Sequence, residues 1–133
     1  MSDIEANKKL ACDFMKAFSD GDLELWASMM ADDATYEVMG NSVMSGLRTK
    51  AEIVATSSDL FKVFPQSIKL TVLALTAEGD RVAMEARGNA TTVSGKPYNN
   101  TYHLLFVIRD GKVKEGREYL CTKLVDQVLA PAN

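Results

Sequence analysis

One acidic side chain near the end of the chain, Glu118, has the type and position of a general acid or base. It lies between Gly116 and Leu120 in an alternating segment, and the two-residue period of a strand puts these three residues on one face. If that face lines an apolar pocket, burial raises the pKa of the carboxyl group, which then suits proton transfer. We predict Glu118 as the catalytic residue. The alternative is a surface carboxylate that pairs with Arg117 or Arg87.

His103 is the only histidine, and histidine is the side chain whose unperturbed pKa lies near neutrality. The neighbouring positions Tyr102, Leu104, Phe106 and Ile108 form the more apolar row of the same alternating segment. We therefore predict that His103 faces outward, toward solvent or a partner subunit. A catalytic role is the alternative.

Five further residues are predicted to contact a ligand. Tyr36, Asn100 and Tyr102 are expected to hydrogen-bond a ligand carbonyl or hydroxyl group, and the alternative for them is wall packing or completion of a turn. Trp26 and Met84 are expected to add apolar contacts, because ligand sites are mostly apolar with a few placed polar groups. The alternative for both is ordinary core filling.

The composition limits the classes of function. The chain has 133 residues, which fits one domain over 1–133, and its 47% hydrophobic and 25% charged residues are normal for a globular protein. The net charge of −3, without a basic run, argues against nucleic acid or an anionic membrane as partner. The chain contains no apolar run of about 18 residues, so we expect no transmembrane helix.

Two cysteines, Cys12 and Cys121, lie far apart in the sequence. The N-terminal segment lacks the apolar stretch behind a basic start that marks a signal peptide, so we expect a cytoplasmic protein with reduced thiols. No cysteine and histidine residues have metal-ligand spacing, so no metal is predicted, and no organic cofactor is implied.

Hydrophobic periodicity predicts the order α-α-β-α-β-β-β-β-α. We expect helices over 4–20, 23–30, 50–63 and 122–129, and strands over 34–39, 68–77, 81–93, 98–109 and 112–121, with 40–46 as a loop. The expected helix signals are Gly21 as a C-cap, Asp22 and Thr122 as N-caps, and a capping box of Thr49 with Glu52. Gly88 and Gly116 are expected at bends or bulges. Such strands form a twisted antiparallel sheet that curls around the helices and encloses a pocket.

Three segments carry a resemblance to a known family: ADDATYEV, SGLRTKAEI and FVIRDGKVKEGREYL. In this order of elements they resemble the nuclear transport factor 2-like superfamily, and more narrowly its SnoaL-like, ketosteroid isomerase-related members, over about residues 5–128. The resemblance implies an α+β fold in which a cone-shaped, curved antiparallel sheet wraps around N-terminal helices. The superfamily includes isomerases, cyclases, epoxide hydrolases, dehydratases, binding domains and dimerisation modules, so the function must be argued from the site.

The ketosteroid isomerase residues are absent. Matching segment to segment puts Phe14 at the position of the family's tyrosine, Val38 at its aspartate base and Leu104 near its second aspartate. None of these side chains exchanges a proton, so the classical activity is not expected.

A comparison with two other sets of catalytic residues in the superfamily leaves Glu118 as the one candidate acid. Limonene epoxide hydrolases use an Asp-Arg-Asp set, and the matching positions here are near Ala86, Gly88 and Glu118, so two of the three members are missing. SnoaL-like cyclases rely on one acid on the last strands, which Glu118 matches in type. Cys121 stands where many related sequences have an aspartate, so a second acid is also missing.

Three hypotheses remain open. The first is an enzyme in which Glu118 moves a proton on a small apolar carbonyl or hydroxyl compound, in an isomerisation, cyclisation or dehydration. The second is a non-catalytic ligand-binding protein, and the third is a dimerisation module with a filled interior. The resemblance also implies a homodimer formed through the outer sheet face, where we place Ala83, Thr91, Leu105 and Val107.

Overall fold

The computed structural model describes residues 3–131, which form four helices and six strands. The helices are α1 (Ile4–Ser19), α2 (Leu23–Ser28), α3 (Lys50–Val63) and α4 (Thr122–Leu129). The strands are β1 (Met30–Val38), β2 (Gly46–Thr49), β3 (Lys69–Glu78), β4 (Arg81–Asn89), β5 (Thr101–Arg109) and β6 (Lys112–Leu120). The predicted order is confirmed with one addition, β2. This strand has only four residues and no alternation of buried and exposed side chains, so the sequence does not mark it.

A left-handed glycine ends α1, and side-chain caps fix the starts of α2 and α3. Gly21 has a φ of +76°, the left-handed conformation that ends α1, and the carboxylate of Asp22 accepts a hydrogen bond from Leu25 N at 3.1 Å at the start of α2. At the start of α3, Thr49 Oγ1 accepts from Glu52 N at 3.2 Å, and Glu52 Oε1 accepts from Thr49 N at 2.9 Å. The predictions for these positions are confirmed.

The last helix begins differently from the prediction. Cys121, and not Thr122, is the N-cap of α4, and it makes no side-chain capping bond. The main chain at this point is held by Asn100, whose Oδ1 accepts from Cys121 N at 3.1 Å. A second attachment joins α4 to the segment before β2, where Asp126 Oδ1 accepts from Val43 N at 2.8 Å.

The six strands form one curved sheet that does not close into a barrel, in the order β2-β1-β6-β5-β4-β3. All neighbouring strands pair antiparallel except β1 and β6, which are parallel. This pairing puts Tyr36 beside Gly116 and Val38 beside Glu118. Residues that are about 80 positions apart in the sequence therefore share the centre of the sheet. The predicted α+β fold with a curved sheet and helices is confirmed.

The two strand glycines are not bulges of the sheet. Gly88 pairs with Leu70, Gly116 pairs with Tyr36 and Phe106, and the irregularities of β3 and β6 fall at Leu73 and Lys114. The expectation of a bulge at these glycines is therefore wrong. Because the irregularity in β6 precedes Gly116, the strand alternates regularly from there, and Glu118 keeps the same face as Gly116.

The core lies between the inner sheet face and the helices. The row Tyr102, Leu104, Phe106 and Ile108 of β5 is buried there, as predicted. A second cluster lies under α4 and contains Phe64, Ile68, Ala90, Tyr98 and Val125. Between the two clusters the side chains leave a cavity.

Candidate functional site

The cavity lies between the inner face of the sheet and helices α1 to α4. Its enclosed volume is about 50 Å³, and the empty space that includes its opening to solvent is about 630 Å³. Most of the lining is apolar and comes from Met15, Phe18, Val38, Met44, Ile53, Leu60, Ile68, Leu70, Leu104, Leu120, Val125 and Leu129. The polar lining groups are Trp26, Tyr36, Thr56, Ser57, Tyr98, Tyr102 and Glu118. This composition, apolar walls with a few polar groups, is typical of a ligand site.

Glu118 and Tyr36 form the polar centre of the cavity. The Tyr36 hydroxyl donates a hydrogen bond of 2.7 Å to Glu118 Oε1. Tyr36 lies on β1 and Glu118 on β6, and the parallel pairing of these strands brings the two side chains together on the inner face. Tyr36 is 3% exposed, whereas Glu118 is only partly buried because it faces the cavity. The hydrogen bond uses one carboxylate oxygen and leaves the other available.

Gly116 makes the position of the Tyr36 ring possible. A methyl group placed on Gly116 would lie 2.5 Å from Cδ2 and 2.7 Å from Cε2 of this ring, well inside carbon–carbon contact distance. Gly88 serves Tyr102 in the same way, because a methyl group there would lie 2.9 Å from Cε2 of Tyr102. The two strand glycines therefore provide space for the tyrosine rings of the site.

Burial dominates the electrostatics of this polar centre. Desolvation raises the pKa of Glu118 above its usual value, while the hydrogen bond from Tyr36 and the positive charge of Arg48 each lower it and offset part of the effect. Burial, followed by the charge and hydrogen bond of Glu118, raises the pKa of Tyr36 well above its ordinary value. The tyrosine is therefore a neutral donor, and Glu118 is the group that changes protonation.

Arg48 is a site residue that the sequence analysis missed. It lies opposite Tyr36 on β2, and its Nη1 donates to the main-chain oxygens of Met44 at 2.7 Å and Gly46 at 3.4 Å. These bonds hold the guanidinium close enough to Glu118 to lower its pKa. Because β2 has no recognisable strand pattern, the sequence gives no signal that this arginine approaches the cavity.

Two more phenol groups lie near the carboxyl group. Burial raises the pKa of Tyr98, and it raises the pKa of Tyr102 well above the ordinary value, with Glu118 contributing in both cases. Tyr102 is the predicted ligand contact and lines the cavity. Tyr98 was not predicted, although its spacing of four residues from Tyr102 places both on one face of an extended segment. Both phenols remain neutral and can orient a ligand oxygen.

Asn100 lies beside the site. Of the residues that the structure describes, it is not one that lines the cavity. Its side chain is 1% exposed, and its amide nitrogen donates to Tyr98 Oη at 3.1 Å and to the main-chain oxygen of Cys121 at 3.2 Å. Its amide oxygen accepts from Thr101 N at 2.8 Å and from Cys121 N. The predicted ligand contact is therefore replaced by a structural role, because every polar group of the amide already has a partner.

The two predicted apolar ligand contacts, Trp26 and Met84, differ in where they lie. Trp26 lines the cavity, as expected of a ligand contact, and it is 1% exposed. Met84 is completely buried in the core and does not belong to the lining within residues 3–131, so its prediction as a ligand contact is corrected to core packing. The reason is the strand order: Met84 on β4 pairs with Leu104 on β5, and Leu104 in turn pairs with Glu118, so Leu104 separates Met84 from the polar centre.

His103 faces away from the cavity. It is exposed on the outer sheet face, in a shallow groove with Glu85, Arg87, Tyr119 and Cys121. This placement agrees with the prediction of an outward-facing histidine.

No group of three or more His, Cys, Asp or Glu side chains that could hold a metal ion occurs in the described part of the chain. Over the same residues, 3–131, the helices are too short or too polar to cross a membrane.

The sheet, its covering helices and the polar centre inside an apolar cavity define an α+β pocket protein. The sequence profile of the SnoaL-like domain matches residues 12–116. The chain therefore belongs to the SnoaL-like family, within the nuclear transport factor 2-like superfamily, as its sequence segments indicate. No curated protein sequence matches the chain significantly.

Solved structures share the fold at low sequence identity. PrhC from Penicillium brasilianum is 17% identical with a TM-score of 0.87, over 96% of this chain and 87% of that one. Bal32a from a soil-derived mobile gene cassette is 22% identical with a TM-score of 0.84, over 94% and 97%. A SnoaL-like polyketide cyclase homologue from a Jannaschia species is 21% identical with a TM-score of 0.76, over 97% and 95%. Identities of this size establish the fold alone.

Proposed function

We propose that this chain is a small-molecule pocket protein in which Glu118 transfers a proton on a small apolar carbonyl or hydroxyl compound. The reaction class is isomerisation, cyclisation or dehydration without a cofactor. The observation that carries the proposal is the 2.7 Å hydrogen bond between Tyr36 and Glu118 inside an apolar cavity. The polyketide cyclase homologue among the structural neighbours supports the same reaction class by analogy of fold.

The proposed proton path begins at the carboxylate oxygen that Tyr36 leaves available. Glu118 removes a proton from a carbon or hydroxyl of the ligand there, and the negative charge then moves to a ligand oxygen. The neutral hydroxyls of Tyr98 and Tyr102 orient that oxygen and stabilise its charge by donating hydrogen bonds. Glu118 returns its proton to a second atom of the ligand, so that no net proton is gained or lost. Such general acid–base catalysis typically contributes about 10²–10⁴-fold to the rate.

The first experiment is a carbon-13 NMR titration of the Glu118 carboxyl group, assigned with Glu118→Gln. We expect a pKa above the reference of about 4.3 for an exposed glutamate. Glu115→Gln is the matched control, because Glu115 lies on the same strand and bonds Arg117 at 2.7 Å on the sheet surface. A Glu118 pKa at or below the reference would remove the basis for proton transfer. Turnover of a small ketone that depends on pH and disappears in Glu118→Gln but not in Glu115→Gln would establish the activity.

The small enclosed volume favours a second candidate, a non-catalytic ligand-binding or dimerisation module. About 50 Å³ is small beside the roughly 300–1,000 Å³ of typical ligand pockets. In this alternative Glu118 and Tyr36 fix a small ligand or the strand itself. Ligand binding that is retained in Glu118→Gln, together with no turnover by the native protein, would favour it.

We also propose a homodimer formed through the outer sheet face. Leu73 is 51% exposed and Tyr119 is 43% exposed on this face, and apolar surface of this kind commonly marks a protein interface. Val107, which we expected there, is already 3% exposed within the single chain and so adds little area. Leu73→Glu should convert the dimer to a monomer in light scattering, whereas a native monomer would contradict the proposal.

The proposed compartment is the cytoplasm. Cys12 and Cys121 are both free thiols, which is the usual state in a reducing environment. Fractionation of cells that express the full chain tests this assignment.

A further inference from the structure

We propose that the indole N–H of Trp26 is a second polar anchor of the Glu118 cavity, and that the cavity takes a neutral apolar molecule with two oxygen groups. A carbonyl oxygen accepts from Trp26, and a hydroxyl group meets Glu118. The inference rests on the proposed function only in placing a ligand beside Glu118.

The starting observation is a buried donor without an acceptor. Trp26 is 1% exposed. Among the buried side-chain nitrogen and oxygen atoms of residues 3–131, its Nε1 is the one without a hydrogen-bond partner. An indole nitrogen is a donor only, so it needs an acceptor from elsewhere. Leaving a buried donor unpaired is costly, and such groups in native structures call for a specific explanation.

The neighbours of the indole ring explain why the protein itself offers no acceptor. Phe14 stacks on it with ring centroids 5.2 Å apart, Phe18 packs at 5.3 Å, and the Tyr36 ring meets it edge-on at 6.2 Å. Two of these rings have no oxygen, and the Tyr36 hydroxyl bonds Glu118. These three rings therefore give the indole nitrogen no acceptor.

The cavity is the direction from which an acceptor can come. Trp26 belongs to its lining, and so do Met15 and Met44, whose unbranched side chains adapt easily. In our proposal, a shift of such a side chain enlarges the cavity and lets a ligand oxygen reach the nitrogen. A donor of this kind rejects molecules that lack an acceptor, since these leave it unpaired.

Tyr36 contacts both anchor residues. Its ring packs edge-on against the indole of Trp26 with ring centroids 6.2 Å apart, and its hydroxyl donates to Glu118 at 2.7 Å. We therefore propose a ligand with oxygens at opposite ends of one aromatic ring. Glu118 is the one acidic group of the described lining, and its charge disfavours an anionic ligand.

Three probes of nearly equal size separate the two anchors. Para-hydroxyacetophenone has both oxygen groups, acetophenone has the carbonyl alone, and para-ethylphenol has the hydroxyl alone. The chain has one tryptophan, so nitrogen-15-labelled protein gives a single indole N–H signal. We expect the two carbonyl probes to move this proton signal downfield and para-ethylphenol to leave it nearly in place. We also expect para-hydroxyacetophenone to bind about fivefold more tightly than para-ethylphenol.

Two variants complete the test. Trp26→Phe keeps an aromatic ring but removes the donor, so the fivefold preference should disappear. In Glu118→Gln the indole shift should persist, so a failure of catalysis is distinguishable from a failure of the Trp26 anchor. Any of three results would overturn the inference. The indole signal could move equally with all three probes, or it could stay fixed while other cavity signals shift. It could also show no saturable change with either carbonyl probe. An indole proton that is already hydrogen-bonded in the free protein and unchanged by the probes would overturn it as well.

Discussion

Gly116→Ala is expected to separate Tyr36 from Glu118. The new methyl group would lie 2.5 Å from Cδ2 of the Tyr36 ring, and relaxed carbon contacts begin at about 3.5 Å, so the ring must move by about 1 Å. An equal movement of the hydroxyl lengthens its 2.7 Å bond to Glu118 to about 3.7 Å, which is beyond hydrogen-bond range. Gly116 does not have a positive φ, so backbone strain does not contribute to the effect.

The size of the effect follows from two contributions. Overpacking of a buried site costs about 1–3 kcal/mol, and loss of a hydrogen bond to a charged group costs about 1.5–3 kcal/mol. We expect the free energy of unfolding to fall by about 3–5 kcal/mol, measured by urea denaturation. The pKa of Glu118 should rise further in the same variant, because the bond from Tyr36 is one of the interactions that lower it.

A double-mutant cycle with Tyr36→Ala isolates the contact. Without the ring there is space for the methyl group, so Gly116→Ala should then change stability by less than about 0.5 kcal/mol. The reasoning is refuted if Gly116→Ala costs the same with and without the Tyr36 ring, or if it leaves the Glu118 pKa unchanged.

Three other changes test the remaining contacts. Tyr36→Phe should raise the pKa of Glu118 in carbon-13 NMR, because the ionised carboxylate loses a donor, and Tyr102→Phe, as the control, should change it much less. Because folding raises the Glu118 pKa, the folded state binds more protons, so native stability should fall as pH rises from the unfolded pKa through the folded one. Urea melts across that range should show this loss, about 1.4 kcal/mol for each unit of elevation, and Glu118→Gln should lack it; an equal loss in the variant would point to another group. Asp126→Ala should speed amide hydrogen exchange at Val43 by about fivefold, since it removes the acceptor of a 2.8 Å bond, whereas Asp126→Asn should retain protection.

Local patterns in the sequence predict most of the fold. The 3.6-residue and two-residue periods, together with the capping residues Gly21, Asp22 and Thr49, act over a few positions and are visible in any one segment. The inward face of Glu118 belongs to the same class of prediction, because alternation continues without interruption from Gly116. The short strand β2 shows the limit, since its pairing with β1 defines it and its own residues do not.

The partners of the polar side chains follow from distant contacts that the sequence does not display. Asn100 has the chemistry of a ligand contact, but the start of α4, 21 residues later, takes up its amide group. Gly116 is of a residue type that is typical of a strand bend or bulge, but its role is to leave space for the ring of Tyr36, 80 residues earlier in the chain. Such roles depend on which atoms meet in the folded chain, and the pattern of residue types carries no record of that.

The balance of charges around Glu118 bears directly on whether it can act as both base and acid. Burial alone would favour the protonated form, whereas Tyr36 and Arg48 both favour the carboxylate, and the net result is a raised pKa. Because the opposing contributions come from a neutral donor and from an arginine that is already bonded to Met44 and Gly46, neither locks the carboxyl group in an ion pair. A carboxyl group held in this way has both a cause that favours its protonated form and causes that favour its ionised form, which is what a group acting as base and then as acid requires.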